Sequence, residues 1–243
     1  MPTLVKTPSG TPIKWKDAGA VWRDVQTVHP PSAVGPLLNF ASGIAPRNGT
    51  LSHTISFGFT ATAGSFLMVC VRGAVSHTAT GWTKQGQASN STQVAVFTKI
   101  ATGGDTFTVS HNGSNYAVAW TAWEYVAGTT YHSAAGSTTT STTMPTLSGL
   151  PGTPVEVFAS YGAICAQPSG ELSGATSTWT APFIELTDQV ALKAGSTDGC
   201  YDTIARQSGV TATSVTPVGT FANGNPLGPT TGRERLTWAV KLP

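Results

Sequence analysis

The stretch Val94 to Tyr125 reads VAVFTKI-ATGG-DTFTVS-HNGSN-YAVAWTAWEY, and its reading decides the fold class. Three apolar, β-branched and aromatic runs are separated by a Gly-Gly and an Asn-Gly segment. Those dipeptides supply the positive φ angles that tight hairpins need, so the spacing predicts three antiparallel strands in a meander. In the last run Val118, Trp120 and Ala122 alternate with Ala119, Thr121 and Trp123. Each face carries a tryptophan, which predicts a strand covered on both sides, near the centre of its sheet. Such a meander is not stable alone in water, so its apolar face must lie on a second sheet.

Composition sets the class around this stretch. The 243 residues could hold one large β-sandwich or two small domains, and suffice to bury a sizeable core. Charged residues make up only 10% of the chain, against about 25% in ordinary globular proteins, so Ser, Thr, Asn, Gln and Gly must make the surface polar. The net charge of +2 comes from scattered Lys and Arg. Without a basic run there is little counterion release to drive nucleic-acid binding, and nucleic acid is excluded as a partner. The longest uninterrupted apolar run, Phe66–Val71, is far short of a membrane-spanning helix, and no membrane insertion is expected. The first residues, MPTLVKTPSGTP, lack the charged and apolar regions of a secretory signal. Export is therefore expected by lysis or within a particle.

Outward from the meander, Leu51, His53, Ile55, Phe57 and Phe59 alternate with small polar residues as a half-buried strand, and Phe66–Arg72 reads as a central strand. Residues 77–90 read as a polar excursion around Gly81-Trp82. The Thr/Ser/Gly-rich stretch 129–153 predicts an extended edge strand or crossover. Further strands are expected at 155–165, 183–193, 200–207, 211–221 and 235–242, with a surface loop at 223–232. The fold expected is all-β: a two-sheet antiparallel β-sandwich of jelly-roll type over residues 36–243, preceded by an extended N-terminal segment, 1–35.

That segment repeats a short pattern, Trp15-Lys16-Asp17 and Trp22-Arg23-Asp24. A seven-residue step leaves two side chains near one face of a helix but on opposite faces of a strand, and the flanking prolines argue against a long helix. Two large aromatics in a segment too small for its own core must pack elsewhere. Either they lie on the same chain's domain, or Trp15 and Trp22 are anchors that dock on a partner subunit.

These residues also carry a family resemblance. V-K-T-P-S-G at Val5–Gly10, followed by W-K-D-A and V-W-R-D, resembles the start of minor tail proteins of phages that infect actinobacteria. The body resembles a jelly-roll module of virion proteins in SFGFTATAGSFLMVCVRG, GWTKQG, VFTKIATGGDTFTVS and AWTAWEYVAG, between Ser52 and Gly128. The resemblance implies a structural virion protein without enzymatic activity, located in the phage tail or on the capsid surface. Its implied partners are other virion proteins; a symmetric homo-oligomer such as a trimer follows if the low-charge faces of the chain pack on one another. A capsid decoration protein and a free carbohydrate-binding module are the alternatives.

Signatures of chemistry are few. The chain has no phosphate-binding loop, zinc-protease, nucleophile-elbow or EF-hand spacing, and no cofactor is expected. His29, His53, His77, His111 and His132 are isolated in sequence, which gives no metal site. A glycosidase pair in the body would have to come from Asp105, Glu124, Glu156, Glu171, Glu185, Asp188, Asp198, Asp202 or Glu234, two of them flanking one bond. Asp198-Gly-Cys-Tyr-Asp202 reads as a turn entering a strand or as a metal-binding loop. Among the three cysteines, Cys70 reads as a buried hydrophobe, whereas Cys165 and Cys200 are compatible with a bridge or with free thiols. Asn48, Asn90 and Asn112 match the glycosylation pattern, two of them as Asn-Gly turns. Trp82 and Trp179 lie in polar surroundings and are the candidates for stacking on a host cell-envelope glycan; the alternative is that each closes one end of the sandwich.

Overall fold

The computed structural model describes residues 13–16, 22–25, 36–45, 50–73, 76–89, 93–111, 117–138, 143–166, 176–192, 198–222 and 233–243. The chain divides into two units, Met1–Ala33 and Val34–Pro243. In the first, β1 (Ile13–Lys16) and β2 (Trp22–Val25) pair antiparallel.

The second unit is an all-β, two-sheet antiparallel sandwich of the jelly-roll kind, and every regular element among its described residues is a strand. Its first half contributes β3 (Leu37–Ala45), β4 (Ser52–Ile55), β5 (Phe66–Gly73), β6 (Thr83–Ser89), β7 (Gln93–Ile100), β8 (Phe107–Ser110) and β9 (Val118–Tyr125). The second contributes β10 (Thr130–Ser137), β11 (Leu147–Ser148), β12 (Val155–Ala166), β13 (Thr176–Trp179), β14 (Ile184–Leu192), β15 (Asp198–Val210), β16 (Ser214–Val215), β17 (Gly219–Ala222) and β18 (Arg233–Lys241). One five-stranded sheet runs β3-β9-β5-β7-β6 and the other β10-β18-β12-β15-β14.

The two halves follow one path. Each slots its last strand between its first and third, and places beyond the third a strand paired with its immediate predecessor. The irregularities coincide as well. The register shifts between Leu37 and Asn39 in the first strand of one half and between Tyr131 and Ser133 in that of the other. The outermost strands shift at Lys84/Gly86 and Glu185/Thr187. Bulges at matching places bend matching strands, so the sandwich is one winding carried out twice.

Three apolar layers result. Between the sheets, Met68, Cys70, Val96 and Trp123 meet Phe158, Ile204, Leu236 and Trp238. Trp123 and Trp238 stand edge to face with centroids 6.2 Å apart. The outer face of the first sheet (Val69, Phe97, Trp120) is covered by the small sheet β4–β8 through Ile55, Phe107 and Val109. The outer face of the second (Val157, Ala159, Tyr161, Tyr201) is covered by β11–β16 and β13–β17 through Leu147, Trp179 and Phe221. Both main sheets are therefore buried on both faces, which is why β5 and β9 are buried at every position.

The meander expected over 94–125 is not formed. The turn at Gly103-Gly104 does take positive φ, 84° and 71°, but β7, β8 and β9 never pair with one another. β5 stands between β7 and β9, and β8 leaves the sheet to pair with β4. Residues 83–89, read as part of an excursion, form the edge strand β6, whose mostly exposed side chains left no apolar alternation to read. The stretch from 129 does supply an edge strand, β10. The loop expected at 223–232 lies outside the described residues.

Candidate functional site

Of the docking candidates, Trp15 lies on β1 and Trp22 on β2; the backbone register sets Trp15 against Arg23 and Lys16 against Trp22. The side chains of both tryptophans lie outside the described part of the structure. The pattern that repeats along the sequence thus becomes two strands of one hairpin.

The glycan candidates occupy different places in the two halves: Trp82 directly precedes the outermost strand β6, a place taken by Phe183 before β14, whereas Trp179 lies on β13. Trp82 packs edge-on against Phe107 of β8 with centroids 5.0 Å apart, and its indole N–H donates to the Thr106 carbonyl. Trp179 packs edge-on against Phe221 of β17 at 4.9 Å, and its N–H donates to Thr203 Oγ1. Trp179 is only 8% exposed, so its ring faces are not available to a sugar. Trp82 is half-buried, with the Lys99 ammonium 5.9 Å from its ring centre. Each ring closes an outer core.

The described carboxylates are largely committed to holding the fold. Glu124 accepts from Asn39 Nδ2 at 2.5 Å and from the Thr62 amide at 2.7 Å; burial raises its pKa, and these donors more than offset that, leaving it low. Asp105 binds Lys99 and Thr102. Glu156 accepts from Tyr125 and Ser208. Asp202 and Glu234 converge on Arg72, which reaches across from the first sheet. Its Nε donates to Asp202 Oδ1 at 2.8 Å, its Nη1 lies 3.5 Å from Glu234 Oε2, and its Nη2 donates to Ser160 Oγ at 2.8 Å. All three charged side chains are fully buried. Burial alone would lower the Arg72 pKa, but Asp202 and then Glu234 hold it above its ordinary value. Asp202 stays raised by burial although Arg72 and Ser160 pull it down. Gly162 makes the approach possible, because a Cβ there would collide with the guanidinium. Asp202 sits inside β15, opposite Gly162. The Asp198–Asp202 motif is therefore strand and neither turn nor metal loop, a difference made by long-range pairing with β12 and β14.

Glu185 and Asp188 of β14 are a different case. Ser177 Oγ donates to Glu185 at 2.8 Å and shares a hydrogen bond with Thr203. Burial pushes Glu185 up, and pushes Asp188 up to about 6, with Glu185 and Asp202 adding to the second shift and the Tyr201 hydroxyl opposing it. The structure thus brings together four of the nine carboxylates considered, Asp202 with Glu234 around Arg72 and Glu185 with Asp188 on β14. Glu171 and the side chain of Asp198 lie outside the described part.

Sequence reasoning missed a convergence of histidines. His53, His77 and His111, set apart by two dozen residues or more, gather around one end of the β4–β8 sheet. Their only advance signal was position: each stands at or beside a strand end. Among the described residues no group of three or more His, Cys, Asp or Glu is placed to hold a metal ion. Beside His53 a groove of about 340 Å³ opens between β3 and β4, with Ile44 on its rim and Trp120 below. Cys70 is a free thiol in the inter-sheet core, its pKa raised by burial, and the Cys165 and Cys200 side chains lie outside the described part.

A scan against family models, a search of curated proteins and a search of solved structures found no match to this chain.

Proposed function

We propose that the protein is a structural component of a phage particle, most naturally a minor tail or tail-tip protein that docks through its N-terminal segment and presents its β-sandwich. One observation carries this reading beside the resemblance: Trp15-Lys16 and Trp22-Arg23 lie on paired antiparallel strands belonging to a unit of their own, Met1–Ala33. A short hairpin with two tryptophans does not build a core of its own and draws its stability from a surface it binds. The body suits a scaffold, because Arg72 with Asp202 and Glu234, and Tyr125 with Glu156, tie one main sheet to the other.

Capsid decoration uses the same residues and differs only in address. The carbohydrate-binding reading rests on Trp82 alone, since Trp179 is covered.

Immunogold labelling of particles with an antibody against the purified protein tests the assignment. Gold at the tail end is expected; gold over the head reassigns the chain to the capsid, and no gold on particles with an accessible epitope removes the virion reading. In parallel, residues 34–243 expressed alone are expected to fold and to be lost from particles. Undiminished incorporation would show that Trp15 and Trp22 are not the anchors.

A further inference from the structure

The histidine cluster has an arrangement unsuited to acid. His53 on β4 and His111 just past β8 stack with ring centroids 5.4 Å and planes 23° apart. His77 is tied in beside them: its backbone N–H donates to Gln93 Oε1 at 2.6 Å, and the next residue, Thr78, bridges Ser110, which precedes His111. The three are 3%, 0% and 5% exposed. Neither ring nitrogen of His77 or His111 has a hydrogen-bond partner among the described residues. The charged groups acting on His77 are Lys84 of β6, Arg72 of β5 and the other two histidines, every one of them cationic or able to become so. His111 feels His53. Asp202 and Glu234 are engaged by Arg72.

A buried histidine tolerates protonation when a carboxylate or a carbonyl stabilises the added charge. Among the described residues His77 and His111 have no such partner, and each added proton repels the next. Burial accordingly lowers His77 from 6.5 to about 3, with His111 the next cause, and lowers His111 too. For a histidine whose folded pKa lies below its unfolded one, stability is complete at neutral pH. It begins to fall as pH drops through the unfolded value and keeps falling until the folded value is reached. The window runs downward from about 6.5.

We propose that this cluster is an acid-triggered release for the covering sheet of the first half: protonation drives β4, β8 and the turn carrying His77 off the first sheet and uncovers the apolar face around Val69, Phe97 and Trp120. The second half is a built-in control. Its covering strands β11, β13, β16 and β17 contain no histidine, and the nearby His132 is partnered through the Gly149 carbonyl at 3.0 Å. Acid therefore opens one half and leaves the other closed.

Hydrogen exchange read by mass spectrometry on the full chain tests this, with rates corrected for intrinsic pH dependence. Peptides covering 51–57 and 105–111 are expected to lose protection at least tenfold as pH falls from about 7 to about 4.5, while those covering β18 stay protected. His77→Gln and, separately, His111→Phe are expected to move the opening to lower pH by half a unit or more. As a check independent of variants, the histidine NMR signals of the natural chain should report protonation of His77 and His111 only together with the opening. Loss of protection spreading equally to β18, an unchanged opening pH in both variants, or histidines titrating near their ordinary value without opening would each overturn the proposal.

Discussion

Arg72 is a cation with no water in reach, and its position follows from chain geometry more than from favourable charge. Removing ions from water costs several kcal/mol each, a cost offset only when every partner is in place. Arg72→Met removes the cation that Asp202 and Glu234 share and is expected to destabilise the protein by about 3–5 kcal/mol, read as a lower urea midpoint at unchanged slope. Asp188 behaves in the opposite sense. Its folded pKa, about 6, lies above the ordinary 3.8, so the folded state favours the protonated form; its contribution to stability is present in acid and lost as pH rises through 6. Asp188→Asn should therefore stabilise the protein at pH 7.5, by about 1–2 kcal/mol after allowance for partial solvent screening, and the gain should vanish near pH 4. Melting temperatures of both forms across that range decide it. A gain that persists at pH 4 would mean that the cause is not the charge. Neither role was legible in the sequence. Arg72 looked like the end of an apolar run, because its partners Ser160 and Asp202 lie 88 and 130 residues away. Asp188 looked like one of nine scattered carboxylates, because the burial that shifts it exists only in the folded chain.

Strands were more legible than their pairing. Alternation along β9 correctly separated the two faces: Trp120 lies in the outer core and Trp123 in the inner one. That pattern is local and survives any topology. The meander was misread because two good turns between three good strands say nothing about a fourth strand, β5, arriving from upstream to stand between them. β3 went unassigned because LLNFASGIA, half-buried at an edge, alternates only weakly. The two faces of β9 make a sharp comparison. Trp120→Ala empties part of the outer core, where Trp120 is 9% exposed, and is expected to cost about 3–5 kcal/mol. Trp123→Ala removes a fully buried ring flanked by Phe40, Phe158 and Trp238 and should cost at least as much. A Trp120→Ala change too small to measure by thermal melting would place that ring outside the core.

The whole molecule poses a question that neither residues nor strands answer, namely whether the repeated winding is two domains or one. Matching bulges and matching strand orders show the repetition. The sequence hid it, because two windings need only the same pattern of inward and outward positions and turns, which many residues satisfy; Trp123 and Trp238 are among the few identities at corresponding places. Each half owns an outer core that it completes by itself, yet the inner layer is shared. Met68, Val96 and Trp123 are covered from the other half by Phe158, Ile204 and Trp238, and the converse holds. A half alone would present one whole sheet face of large apolar side chains to water, a patch of the size that drives association. Residues 34–127 and 128–243, expressed separately, should therefore aggregate or remain molten, with weak near-ultraviolet dichroism. Expressed together they should form a soluble one-to-one complex with the melting profile of the intact body, because the only bond lost lies in the exposed turn at Ala127-Gly128. If either fragment proves soluble, monomeric and cooperatively folded on its own, the halves are independent domains and the shared layer is an interface. If the pair fails to assemble, the β9–β10 connection is itself needed to bring the two faces into register.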